Sequence, residues 1–161
     1  MIINFAKTKE NGVIPTKRKE DAGYDVYACF EENYLIINPL ETKLIPTGIA
    51  SAMSNGWYLQ VEERGSTGTK GIKKSAGIID SGYRGEIFIA LTNCNNKPIL
   101  ITKEKDTEYL EDDYIVYPYT KAIAQLILHK VYDSEVKEMS YEELKNISSE
   151  RGIGSLGSSN K

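Results

Sequence analysis

The apolar residues of this chain come in short bursts divided by turn-forming residues, and that spacing predicts strands and little else. The bursts run Ile2 to Ala6, Tyr34 to Ile37, Leu44 to Ile45, Trp57 to Val61, Glu86 to Thr92, Ile99 to Thr102, Tyr114 to Tyr117 and Ala122 to Val131. Strands of this length, bounded by Gly, Pro, Asn, Asp and Ser, predict an all-β fold. Glu86 to Thr92 and Ala122 to Leu128 are too apolar for strands with one wet face, so they belong to a sandwich or barrel core. The second of these is also a candidate for contact with another subunit.

A chain of 161 residues suits one domain and not two. One short helix is expected at Tyr141 to Asn146, with Ser140 as N-cap and Glu143 reaching back in a capping box. The segment KEKDTEYLEDD, Lys103 to Asp113, reads as a charged surface excursion between two strands. From Ser148 the chain is rich in Gly and Ser. The expected organisation is a β domain over 1–147 and a flexible C-terminal arm over 148–161.

Net charge is −3 with a pI near 5.3, so no broad positive field draws in a nucleic-acid backbone. A small anionic ligand remains compatible, since a few cations make a local positive site on an acidic protein. Cys29 and Cys94 have no metal-ligand spacing with each other or with His129, the lone histidine. Reduced thiols, a start without signal-peptide character and the lack of any membrane-length apolar run predict a cytoplasmic protein.

Three segments concentrate polar chemistry. In Gly77 to Ile87, GIIDSGYRGEI, two apolar stretches flank a turn and predict a hairpin with Asp80 and Tyr83 near its bend. Asp80 and Ser81 are also ordinary turn formers, and Tyr83 would then simply cover the bend. In Glu62 to Gly71, EERGSTGTKG, glycines, hydroxyls and Arg64 suit a polyphosphate, without the order of a P-loop; a plain polar loop has the same composition. Arg151 to Ser159, RGIGSLGSS, gives the tail an arginine and several donors, as a lid needs and as a disordered tail also carries.

In this order the segments resemble the trimeric dUTPase family, whose five motifs are spread along nearly the whole chain. Asp21 to Val26 is similar to the first motif, Arg64 to Gly68 to the second, Gly77 to Ile87 to the third, Ala122 to Leu126 to the end of the fourth, and Arg151 to Ser159 to the fifth. The resemblance implies a jelly-roll-like β fold and a homotrimer with three sites at subunit interfaces. It implies hydrolysis of dUTP to dUMP and pyrophosphate, with Mg²⁺ carried by the triphosphate and water and no metal ligand from the protein. Asp80 matches the aspartate that activates the attacking water, a role open to a carboxylate ionised at neutral pH.

By the same resemblance Gly77, Ile79, Tyr83, Glu86 and Ile87 surround the base and sugar, and Tyr83 leaves no room for a 2′-hydroxyl. Arg64, Gly65, Ser66, Thr67, Gln125 and Arg151 hold the phosphates, Asp25 is outer support, and Leu156, Gly157 and Ser158 belong to the closing tail. A protein regulator stays open as a further partner.

The chain departs from the family pattern in four places. Gly65 follows Arg64 where serine is usual, so Ser66 or Thr67 must supply any hydroxyl. Thr120-Lys121-Ala122 replaces Gly-Asp-Arg, Leu156 replaces phenylalanine, and the excursion through Tyr119 is long. Two other readings compete: a dCTP deaminase, which needs a glutamate where Ala90 stands, and a regulatory scaffold that has lost catalysis.

Overall fold

The computed structural model describes residues 2–154. Its strands are β1 (Asn4–Lys7), β2 (Gly23–Val26), β3 (Tyr34–Ile37), β4 (Thr42–Pro46), β5 (Ile49–Ala52) and β6 (Trp57–Glu62). A one-turn helix α1 (Gly65–Gly68) follows, then β7 (Ile72–Lys74), β8 (Ile78–Asp80), β9 (Phe88–Asn93), β10 (Ile99–Thr102), β11 (Ile115–Pro118), β12 (Ala124–Lys130) and helix α2 (Tyr141–Lys145). The chain divides into two compact units, one ending at Val131 and the other beginning at Tyr132. All the strands belong to the first.

Four small sheets enclose one core: β1-β5, β11-β10-β3, β2-β12-β6-β8 and β4-β9-β7. Val26, Ile37, Ile45, Ile49, Leu59, Ile87, Ile89, Ile99 and Leu126 are completely buried in it. The third sheet positions the chemistry. Along β6, Leu59 and Val61 face the core, so Tyr58, Gln60 and Glu62 lie on the opposite face. Ala124 and Leu126 of β12 face inward in the same way, which turns Gln125 outward.

One pairing differs from the expectation. Gly77 to Ile87 does turn at Ser81 and Gly82, yet its flanking strands do not form a hairpin. β8 pairs with β6, Tyr58 opposite Asp80, whereas β9 pairs with β4 and β7. The charged excursion is a crossover. β10 and β11 run parallel, and parallel neighbours need a connection of about a dozen residues or more, which 103–114 supplies. A 3₁₀ turn at Glu108–Leu110 shapes it.

In the second unit, α2 carries the predicted cap. The Ser140 hydroxyl accepts from the Glu143 N–H at 3.2 Å, and the Glu143 carboxylate accepts from the Ser140 N–H at 2.9 Å. No helix among the described residues is long and apolar enough to cross a membrane.

Candidate active site

The first polar site is a cleft of about 700 Å³. Gly23 and Asp25 from β2, Gln125 from β12, and Arg64, Gly65 and Ser66 from the start of α1 line it, together with residues 16–18, 21 and 22. Arg64 Nε meets Asp25 Oδ1 at 2.9 Å, and Arg64 Nη1 reaches the Ala122 carbonyl at 3.5 Å. Asp25 thus sets the direction of the guanidinium. Thr67 is buried, its hydroxyl accepting from the Arg64 N–H and donating to the Arg64 carbonyl, both at 3.0 Å. Of the two hydroxyl residues that follow Gly65, Ser66 is therefore the one that lines the cleft.

Gln125 Nε2 donates to the Glu63 carbonyl at 2.8 Å. A side chain at position 23 would forbid this arrangement: a Cβ on Gly23 would stand 2.5 Å from Gln125 Oε1. The two glutamates before Arg64 are turned toward lysines. Lys74 Nζ pairs with Glu62 Oε1 at 3.1 Å, and the Lys74 N–H donates to Glu63 at 3.1 Å. Burial pushes the Glu63 carboxyl up, but the Lys74 backbone N–H, its own N–H and the charges of Lys73 and Lys74 bring it below the ordinary glutamate value.

Tyr117, which no sequence signal marked, supports this cleft from the core. Its hydroxyl donates to the Ala122 carbonyl at 2.6 Å. Burial raises it above the ordinary phenol range, opposed by Ser66 and Arg64, so it stays a donor at neutral pH.

The second site is smaller, about 260 Å³, and lies at the end of β8. Gly77, Ile78, Ile79, Asp80, Tyr83, Glu86 and Phe88 line it together with Val61 and Ala76. The Tyr83 N–H donates to the Asp80 carbonyl at 3.1 Å, and the Tyr83 hydroxyl donates to the Glu86 carbonyl at 2.9 Å. Glu86 itself accepts from the Gly48 N–H at 2.9 Å and lies 3.4 Å from Lys9 Nζ. Ile87 is completely buried, with its N–H on Ile49 and its carbonyl on the Thr47 hydroxyl, so it fastens the loop instead of lining the pocket.

One chain keeps these sites apart. Asp80 stands opposite Tyr58, and Gln125 stands opposite Glu62, four positions further along β6. That is about 13 Å along the strands and about 10 Å across two strand spacings, or about 16 Å in all.

The dUTPase family profile matches residues 9–106, which include Asp25, Arg64, Asp80, Tyr83 and Glu86. The chain belongs to the dUTPase family of nucleotidohydrolases. It is 36% identical to the deoxyuridine 5'-triphosphate nucleotidohydrolase of Candida albicans over 93% of this chain and 82% of that protein. The enzyme of the same name from Nautilia profundicola is 33% identical, with full coverage of both chains. A solved structure of a single-substitution mutant of the Staphylococcus bacteriophage 80alpha dUTPase with dUpNHpp superposes at a TM-score of 0.75, with 24% identity and 98% of each chain covered. The fold is the all-β, jelly-roll-like dUTPase fold.

The dUTPase motifs thus fall into two groups within one chain. The cleft gathers Asp25, Arg64, Gly65, Ser66 and Gln125, while the β8 pocket gathers Gly77, Ile79, Asp80, Tyr83 and Glu86. Arg151 belongs to the second unit, where its Nε donates to the Gly154 carbonyl at 2.9 Å. Leu156, Gly157 and Ser158 lie outside the described residues. Ala90, where a deaminase would carry its glutamate, sits nearly buried in β9 opposite Leu44, and Glu86 is committed to Gly48 and Lys9.

Proposed function

We propose that this chain hydrolyses dUTP to dUMP and pyrophosphate, in sites completed between copies of itself. The observation that carries the reading is the separation of Asp80 from Gln125 and Arg64. A water that one chain's Asp80 activates lies about 16 Å from the same chain's phosphate-binding groups, so a second copy must bring its cleft to the β8 pocket. A homotrimer satisfies this for every copy, because each chain presents its cleft to one neighbour and its β8 pocket to the other around a closed ring.

In this reading uracil pairs with the backbone of β8. That strand is at the edge of its sheet, which leaves alternate backbone groups free for a base edge, and Tyr83 closes the space beside the deoxyribose. Asp80 takes a proton from water as the water oxygen bonds to the α-phosphorus. The bond from that phosphorus to the bridging oxygen breaks, and pyrophosphate leaves with the electron pair. Arg64, Ser66 and Gln125 hold the phosphate oxygens, with Arg151 as a further cation for them.

Asp21 and Asp25 of the cleft each pair with an arginine. Mg²⁺ would arrive with the triphosphate, and bound there it would supply positive charge against that accumulating on the phosphates. The setting is cytoplasmic, which suits free Cys29 and Cys94.

Pyrophosphate release from dUTP, dCTP, dTTP and UTP, each with and without Mg²⁺, tests the reading. Release from dUTP alone, dependent on Mg²⁺, is the expected pattern. Release from none of the four would sink it in favour of a regulatory scaffold.

A further inference from the structure

We infer that Lys17 and Arg18, which line the same cleft as Arg64, form a second phosphate subsite that selects the triphosphate over shorter phosphate chains. The inference rests on the reading of the cleft as the phosphate site. Its starting point is a repeated device: the same cleft contains two Arg–Asp pairs. Arg64 is held by Asp25, and Arg18 is held by Asp21 through Nε to Oδ2 and Nη2 to Oδ1, each at 2.9 Å.

The loop that carries Arg18 is anchored in place. The Asp25 N–H donates to the Thr16 carbonyl at 2.9 Å, the Arg18 N–H donates to Asp21 Oδ2 at 3.1 Å, and Lys17 Nζ donates to the Asp21 carbonyl at 2.7 Å while lying 5.5 Å from the Tyr24 ring centre. The Arg18 side chain is nonetheless 88% exposed, so its planar fork is open to a solute. An exposed ion pair in water is weakly held. A phosphate with two or more charges competes well for a guanidinium held only by one screened carboxylate.

Charge points the same way. Lys17, Arg18 and Arg64 line the cleft against Asp21 and Asp25, an excess of positive charge in a protein whose net charge is −3. With the α-phosphate at Arg64 and Gln125, the phosphates beyond it are the part of the ligand left for Lys17 and Arg18 in the same cleft. A monophosphate leaves Lys17 and Arg18 without a phosphate partner. Lys19 is the next basic residue of the loop but does not line the cleft.

Two measurements on the full chain test this, with Lys17→Ala/Arg18→Ala as the variant and Lys19→Ala as the control for simple loss of charge. Steady-state hydrolysis of dUTP with Mg²⁺ is expected to show KM raised about tenfold in the double variant, kcat within about twofold, and inhibition by dUMP unchanged, as for loss of charge-assisted bonds made only to the distal phosphates. Calorimetric binding of inorganic tripolyphosphate should weaken about tenfold in the double variant and stay unchanged in Lys19→Ala. Equal tripolyphosphate binding by the parent and the double variant, or equal loss in Lys19→Ala, would overturn the subsite. Turnover of dUTP with KM unmoved in the double variant would also overturn it while leaving the hydrolase standing. Loss of tripolyphosphate binding in a protein that hydrolyses no dUTP would keep the subsite and remove the hydrolase.

Discussion

Replacing Asp80 by Asn is expected to lower kcat for pyrophosphate release from dUTP about 10³-fold, with dUTP still bound about as tightly as by the parent. The amide keeps the size of the side chain at the end of β8 but cannot take the proton of the attacking water. The surrounding geometry does not depend on the Asp80 carboxylate: Tyr83 is tied to the Asp80 carbonyl, and Glu86 to Gly48. Stability should therefore change little. Steady-state rates with a direct binding measurement check both halves; an Asn variant with more than a tenth of the parental kcat would remove Asp80 from the chemistry.

The second large effect is expected at Arg64. Arg64→Ala should lower kcat/KM about 10²-fold, because a preorganised cation is lost where phosphate charge develops. Arg64→Lys should recover little, since the contact to Asp25 and the reach toward Ala122 use different nitrogens of one planar fork. Both side chains of the Arg64–Asp25 pair are one-third exposed, so the cost to folding is about 1 kcal/mol or less. A large fall in melting temperature with unchanged kcat/KM would make the pair structural instead.

Much of this was legible in the chain. The Ser140–Glu143 capping box is local chemistry and appears as written. The bend at Ser81 and Gly82 follows from turn residues between apolar stretches. What those stretches pair with is not local, and β8 joins β6 instead of β9 because strand partners are chosen across the core. The strands β5 and β7 gave no strong strand signal: Ala50, Ser51 and Ala52 are small, and Lys73 and Lys74 are charged. Helix α1 has two glycines in its four residues, and nothing in its propensities predicts it. Its turn is tied by the Thr67 hydroxyl to the Arg64 backbone.

The candidate site divides in the same way. Asp80, Tyr83, Arg64 and Gln125 carry motif resemblance, so they could be named from the sequence. Tyr117 reads as one core aromatic among the 11 tyrosines of the chain, and Lys17 and Arg18 read as a solvated basic loop. Only folding places the tyrosine hydroxyl under Arg64's neighbour Ala122 and brings the loop into the same cleft as Arg64. Likewise, the motif order says nothing of the separation between Asp80 and Gln125, which the register of β6 with its two partners sets.

Sites shared between copies make a direct test available. Asp80→Asn and Arg64→Ala, each strongly impaired alone, can be unfolded together in equal amounts and refolded, and dUTP hydrolysis measured against the refolded parent. If each site takes Asp80 from one copy and Arg64 from another, about one site in four of the whole refolded mixture is intact, and about a quarter of parental activity should return. Activity no higher than that of the two variants refolded separately would contradict the shared site and place all the chemistry within one chain.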